Sequence, residues 1–170
     1  MTRVKTLWLL SAASVLSISC GNQAPRKEAA AEPLRPTGVT QNLPQRPMGA
    51  GLSYHIDNIG PVSQPVDGQP VRVSFSQDLA ISGWAFDEPN RALASHVDVV
   101  IDGVPYAASY GVQRRDVANY FKDPVYEGSG FQFSMLAGQL TKGTHKSFIR
   151  VVANDGKSYV ASPETMLVVE

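Results

Sequence analysis

The chain has 170 residues, 43% of them hydrophobic, and its 15 basic and 15 acidic side chains cancel to a formal net charge of zero. From Gly51 onward nine basic residues stand against thirteen acidic ones, a balance of −4. A domain of that sign lacks the cationic field that neutralises phosphates, which excludes nucleic acid as an expected partner.

Arg3 and Lys5 precede a mostly apolar run of twelve residues, Leu7 to Ile18. That is the length of a secretory signal's hydrophobic region and falls short of the ~20 residues that span a bilayer. Cys20, the only cysteine, follows it outside the foldable region, with no residue to orient it as a nucleophile. Ser17-Ile18-Ser19-Cys20 resembles the lipobox of bacterial lipoproteins, with Ser17 where that family most often has Leu. The resemblance implies that residues 1–19 are a signal peptide and that Cys20 becomes the lipidated N-terminus. Several acyl chains at ~0.8 kcal/mol per buried methylene then hold the protein on a membrane. Gly21 stands where inner-membrane lipoproteins of enteric-type cells often have Asp. By that resemblance the location is the bacterial cell envelope, with the outer membrane favoured if the host has one. The competing reading is an ordinary signal peptide with an incidental cysteine.

Residues 20–50 read as a lipidated cysteine and a disordered, proline-rich tether. Pro25, Pro33, Pro36, Pro44 and Pro47 interrupt any helix or strand, and the residues between them are mostly small, polar or charged. Such a segment buries too little apolar surface to offset its ordering entropy, and its prolines make it a semi-extended spacer. The alternative is a stretch draped over the domain.

From Gly51 to Glu170 the pattern has period two. Val71, Val73 and Phe75 alternate with Arg72 and Ser74; Val97, Val99 and Ile101 alternate with Asp98, although Val100 breaks the polar face; Phe131, Phe133 and Met135 alternate with Gln132 and Ser134. With Leu52–Ile56, Leu79–Phe86, Val104–Ser109, Ser147–Ala153, Ser158–Ala161 and Thr165–Val169 these give about eight or nine strands. Asp102-Gly103 and Asp155-Gly156 mark hairpins, because that pair suits the turn whose central residues take positive φ. Pro105, just after the first of them, marks an edge strand or a strand start. The expected fold is all-β, an antiparallel immunoglobulin-like β-sandwich with one short helical turn; a small β-barrel is the alternative.

Three stretches carry candidate sites. In Ser82–Asn90, Trp84 and Phe86 share a strand face ahead of the polar loop Asp87-Glu88-Pro89-Asn90. That loop has the oxygens to ligate a cation, and an exposed Trp84 beside carboxylates would be a sugar-stacking platform. A core tryptophan followed by a turn is the plainer account. In Gln113–Phe121, Asp116 is expected to cap a helical turn whose one face carries Val117, Tyr120 and Phe121, with Lys122-Asp123-Pro124 ending it. Arg114 and Arg115 could clamp a carboxylate or phosphate, or else pair with nearby acids to pin the loop. His55, His96 and His145 match no metal-ligand spacing, and Gly128-Ser129-Gly130 lacks the flanks of a nucleophile elbow. No metal, cofactor or catalytic residue is expected.

Gly83–Asp87, Val97–Gly103, Arg114–Phe121, Gly128–Phe131 and Gly143–Gly156, in that order, look like a β-sandwich module found in bacterial exported proteins and appended to some bacterial glycosyltransferases. The resemblance implies a non-catalytic domain. The expectation is a lipid-anchored envelope protein presenting a binding or structural module, its partners the membrane through Cys20 and an envelope protein or glycan. The rival is a carbohydrate-binding or glycan-active enzyme at the cell surface, with Asp87, Glu88, Asp98 and Asp116 converging in a cleft. A subunit of an envelope complex would instead show a large exposed apolar patch.

Overall fold

Period-two alternation gives each strand one apolar face, and two sheets that turn those faces together remove them from water. A computed structural model describes residues 35–49 and 51–170, all within one compact unit. The strands are β1 (Leu52–Ile59), β2 (Val62–Ser63), β3 (Val71–Val73), β4 (Leu79–Asp87), β5 (Ala92–Leu93), β6 (His96–Ile101), β7 (Val104–Ala107), β8 (Ser109–Val112), β9 (Gly130–Met135), β10 (Gly143–Val152), β11 (Tyr159–Ala161) and β12 (Thr165–Val169). One α-helix, α1 (Arg115–Phe121), lies between β8 and β9.

The first sheet runs β2-β1-β4-β9-β8, with β5 on the end of β4; the second runs β3-β12-β10-β6-β7, with β11 beside β10. Pairing is antiparallel except between β3 and β12. The fold is an all-β sandwich, and the sheets do not close into a barrel. Its core joins Leu79, Ile81, Ala85, Phe131 and Phe133 of the first sheet to Val97, Val99, Ile149, Val151 and Leu167 of the second. Each large side chain buried there contributes about 1.5–3 kcal/mol.

The turn residues act as their chemistry requires. Asp102 (φ 49°) and Gly103 (φ 82°) both take positive φ, and Ile101 pairs with Val104 across them. At the second hairpin positive φ falls on Gly156 alone, because the loop is longer: the Ala153 amide and Ser158 carbonyl close it at 2.9 Å. Pro105 lies on β7, an edge strand, as expected. Phe75 departs from its expected place. β3 stops at Val73, a turn bonded from the Gln77 amide to the Ser74 carbonyl follows, and the Phe75 ring is 38% exposed.

The larger departure is at residues 37–46, expected to belong to a disordered spacer. They lie along the outer face of the second sheet. Thr37 Oγ1 accepts from the Ala107 amide at 3.0 Å, and the Gly38 amide donates to the Pro105 carbonyl at 3.1 Å. Thr40 donates to Asp98 Oδ2 from its amide at 2.9 Å and from its hydroxyl at 2.7 Å. Further along, Tyr159 donates to the Pro44 carbonyl and its own carbonyl accepts from the Arg46 amide. The ordered fold therefore begins well before Gly51, where its boundary was expected. The cause is β7, whose edge amides need acceptors, together with a buried Asp98 that needs donors. Gly38 is required by this approach: a Cβ there would sit 2.5 Å from Pro105 Cβ and 2.7 Å from Asp98 Oδ2. Cys20, residues 1–19 and the spacer up to Leu34 lie outside the described residues.

Asp98 is fully buried, with His96 Nε2 2.9 Å from its Oδ1. Burial opposes its charged form, but the close His96 ring and the two hydrogen bonds from Thr40 prevail and hold the carboxyl below the usual carboxylate range. A carboxyl depressed on folding stabilises fully above its ordinary pKa, near 4, and ceases to do so as pH falls through the folded value. Acidification below about pH 4 should therefore free residues 37–46 before the sandwich melts, read as loss of hydrogen-exchange protection at the Ala107 and Tyr159 amides. Asp98→Ala should cost about 2–4 kcal/mol by stranding the Thr40 amide and hydroxyl; an unchanged melting temperature would contradict this account of the strap.

Candidate functional site

Outside the sandwich core, β4 turns Ser82, Trp84 and Phe86 to the far side of the first sheet, where the chain from β8 to β9 crosses over them. Phe86, Val117 and Tyr126 form a second buried cluster there, with Trp84 and Phe121 packed against it. Phe86 stacks on Tyr126 at 3.9 Å between ring centroids and meets the edge of Phe121 at 4.9 Å. Trp84 stacks on Phe86 at 5.3 Å and meets Phe121 edge-on at 5.6 Å. So Trp84 is half-buried on the outer face, and the expectation of a tryptophan inside the sandwich core fails. The alternation is to blame: Leu79, Ile81 and Ala85 occupy the inward positions of the same strand, which sends its aromatics outward.

Asp116 does not cap α1. The helix begins after Arg114, which holds the N-cap position without a side-chain cap bond. Asp116 instead binds the Arg114 guanidinium in two places, Nε to Oδ1 at 2.9 Å and Nη2 to Oδ2 at 2.6 Å. That hydrogen-bonded pair holds the Asp116 carboxyl down to about 2. Arg114 Nη1 donates to Asp57 Oδ2 at 2.5 Å, so one guanidinium spans two carboxylates. Asp57 reaches it because β1 shifts register between Ile56 and Asn58, leaving Asp57 as the extra residue of a bulge that re-aims its side chain. Arg115 is apart from this network. It pairs with Glu127 at 3.0 Å and its side chain is 79% exposed. Of the three residues expected on one helix face, Val117 is buried, Phe121 partly so, and Tyr120 is 81% exposed.

Trp84 borders an open cleft of about 680 Å³, with Tyr54, His55, Asp57, Gln64, Arg114, Asp116, Val117, Tyr120 and Phe121 around it. His55 is the cross-strand partner of Trp84, with their rings 6.1 Å apart. A smaller hollow of about 350 Å³ shares Tyr54 and His55 and continues along Asp67, Ser162 and Thr165. The structure thus gathers Trp84, Arg114 and Asp116 of the candidate binding residues with Val117, Tyr120 and Phe121 of the same helical stretch, brings in His55, weighed in the sequence only as a metal ligand, and adds Tyr54, Asp57 and Gln64. The signal of these last in the sequence was too weak to find: Tyr54 and Asp57 sit in an ordinary alternating strand, and a bulge leaves no motif.

The remaining candidates have structural partners elsewhere. Asp87 is buried and accepts from the Asn90 side chain at 2.9 Å and from the Asn154 amide at 2.9 Å, tying a first-sheet loop to a second-sheet one. Glu88 accepts from the Ser53 hydroxyl at 2.6 Å. Asp98 belongs to the strap on the opposite outer face. His96 pairs with Asp98 and His145 with Asp102, so the three histidines stand in separate places. Among the described residues no group of three or more His, Cys, Asp or Glu is arranged to hold a metal ion.

No family model matches the sequence, and no curated protein matches it. Among solved structures the chain is similar to the endo-β-1,4-mannanase from Thermotoga petrophila, at a TM-score of 0.42 and 13% identity, over 69% of this chain and 20% of that one. The chain spans about a fifth of that protein, and a likeness at this level carries no information about activity.

The second cluster should behave as a core. Phe86→Ala is expected to cost about 3–5 kcal/mol. Arg114→Met, which leaves two carboxylates facing each other without their shared donor, should cost about 1–3 kcal/mol. Arg115→Ala should stay within about 0.5 kcal/mol, as an exposed pair does. Thermal melts of the three variants check the order, and an Arg115 variant as damaged as the Arg114 one would overturn it.

Proposed function

We propose that this protein is a lipid-anchored component of a bacterial cell envelope, and that its β-sandwich is a non-catalytic binding module using the cleft bordered by Trp84. The observation that carries the binding role is the cleft itself: an aromatic floor beside an arginine locked between two carboxylates. Such a site offers an apolar surface with a few polar groups already fixed in place, the usual composition of a ligand site. Anchoring rests on the short apolar leader and the lipobox-like Ser17–Cys20, and Gly21 favours the outer membrane if the host has one. No helix among the described residues is long and apolar enough to cross a membrane.

Chemistry argues for binding over glycan cleavage. A glycosidase needs one carboxyl that still holds a proton near neutral pH, opposite a second carboxylate. Asp57 and Asp116 both border the cleft, but Arg114 bridges them, and an Asp116 carboxyl held down to about 2 has no proton to give. Asp87, Glu88 and Asp98 are committed to hydrogen bonds elsewhere. The reading of a structural subunit draws less support: among the exposed large hydrophobics Phe75 and Leu136 border one hollow, whereas Val39 is in the strap, Val66 in the segment between β2 and β3, and Tyr120 on α1.

Two measurements test the proposal. Labelled fatty acid should enter the wild type and be absent from Cys20→Ala, which should leave the membrane fraction. The full-length Cys20→Ala protein should then co-sediment with the insoluble cell-envelope polymer, and adding Tyr120→Ala should weaken that by tenfold or more. Sedimentation indifferent to Tyr120 would remove the cleft from the function.

A further inference from the structure

We propose that the cleft bordered by Trp84 takes an uncharged oligosaccharide, its sugar rings lying on the Tyr120 and His55–Trp84 aromatic surfaces and its hydroxyls meeting Asp57, Asp116 and Arg114. The inference rests on the binding-module reading above and names its ligand class.

Charge removes the first competitor. Among the described residues Arg114 is the only arginine or lysine bordering the cleft, and three of its donor directions are filled by Asp57 and Asp116. A phosphate or carboxylate ligand would have to displace a carboxylate already in place and would face the surplus negative charge. A cation would be drawn by that same surplus of one negative charge but set against Arg114, so what favours a neutral ligand over it is the exposed aromatic surface, and hexalysine is the control that separates the two.

What remains exposed suits a neutral polyol. Tyr120 stands 81% exposed, edge-on to Phe121 at 5.0 Å, so its ring is an open platform, and a tyrosine has only two side-chain angles to order on binding. The His55 side chain is 49% exposed above the Trp84 ring. Aromatic faces of this kind match the C–H faces of pyranose rings. The carboxylates keep free lone pairs and the guanidinium keeps unused N–H groups, which gives acceptors and donors side by side at a fixed spacing, as vicinal hydroxyls require. Because the Arg114 network holds these groups before any ligand arrives, little is spent ordering them on binding. The continuation of the cleft into the hollow past Tyr54 and His55 gives a track longer than one sugar.

The test uses the full-length Cys20→Ala protein and defined probes: cellohexaose, mannohexaose and chitohexaose, with oligogalacturonate as the anionic control and hexalysine as the cationic one. Titration calorimetry should show saturable binding of at least one neutral hexasaccharide, weakened tenfold or more by Tyr120→Ala at an unchanged melting temperature, and weakened likewise by Asp57→Asn. No binding of any neutral hexasaccharide overturns the inference. Binding of hexalysine or oligogalacturonate that Tyr120→Ala abolishes also overturns it, but leaves the cleft as a binding site. Envelope co-sedimentation that ignores Tyr120 would instead bring down the binding-module reading itself.

Discussion

Strand β4 is covered on both faces, and most of the molecule is arranged around that fact. Its inward residues Leu79, Ile81 and Ala85 build the sandwich core, while its outward Phe86 is fully buried under the chain between β8 and β9. An aromatic pair on the solvent side of a sheet would be a large exposed apolar patch, so the connection to β9 must fold back over it. Gly83, between the two faces, marks how tightly this is done. A Cβ there would stand 2.1 Å from the His55 carbonyl oxygen and 2.8 Å from Phe131 Cζ, so no larger residue fits without moving β1 or the core. Asp87 at the end of the strand then fastens it to the second sheet through the Asn154 amide.

The negative balance that composition registers as surface charge is largely spent on backbone amides. Asp78 accepts from Ala137, Asp98 from Thr40, Asp102 from Lys146, Asp123 from Val125 and Asp155 from Lys157, all between 2.9 and 3.1 Å. A sandwich of short strands has many loops, and each loop leaves amides without a ladder partner. Aspartate is short enough to reach them. Charge counted along the chain therefore says less about partners than about turns, and Asp57 and Asp116, held on an arginine at the cleft, are a minority use.

This is also why the fold was legible in the sequence and the site only in part. Alternation of Val97, Val99 and Ile101, or of Phe131, Phe133 and Met135, is a local signal that points to a strand and its buried face. Two Asp-Gly pairs located hairpins for the same local reason. Which side of β4 faces the other sheet is not local, because both faces carry large apolar residues and alternation cannot rank them. Trp84 was therefore assigned to the wrong layer. Asp116 resembled a cap because an acid at a helix start usually is one; that Arg114 would claim it depends on Asp57, more than fifty residues away in sequence. For residues 37–46 a draped stretch is only the second reading of the sequence, because their prolines and polar residues describe a chain that does not build a core of its own, and say nothing of an edge strand elsewhere that supplies one.

The strap also changes what the proposed anchor would do. If Cys20 were in a membrane, the contour from it to Thr37, where the docked stretch starts, would be about 17 residues, an upper limit of ~60 Å at 3.3–3.6 Å per residue. A boundary at Gly51 would have nearly doubled it. The strap joins the outer face of the second sheet, at Asp98 and Pro105, whereas the cleft opens on the outer face of the first. Tension in the spacer would then act on one side of the sandwich and leave the aromatic floor on the other. The buried Asp98, by drawing Thr40 onto β6, fixes where the ordered chain joins the sandwich, and any pull from the proposed anchor would arrive there.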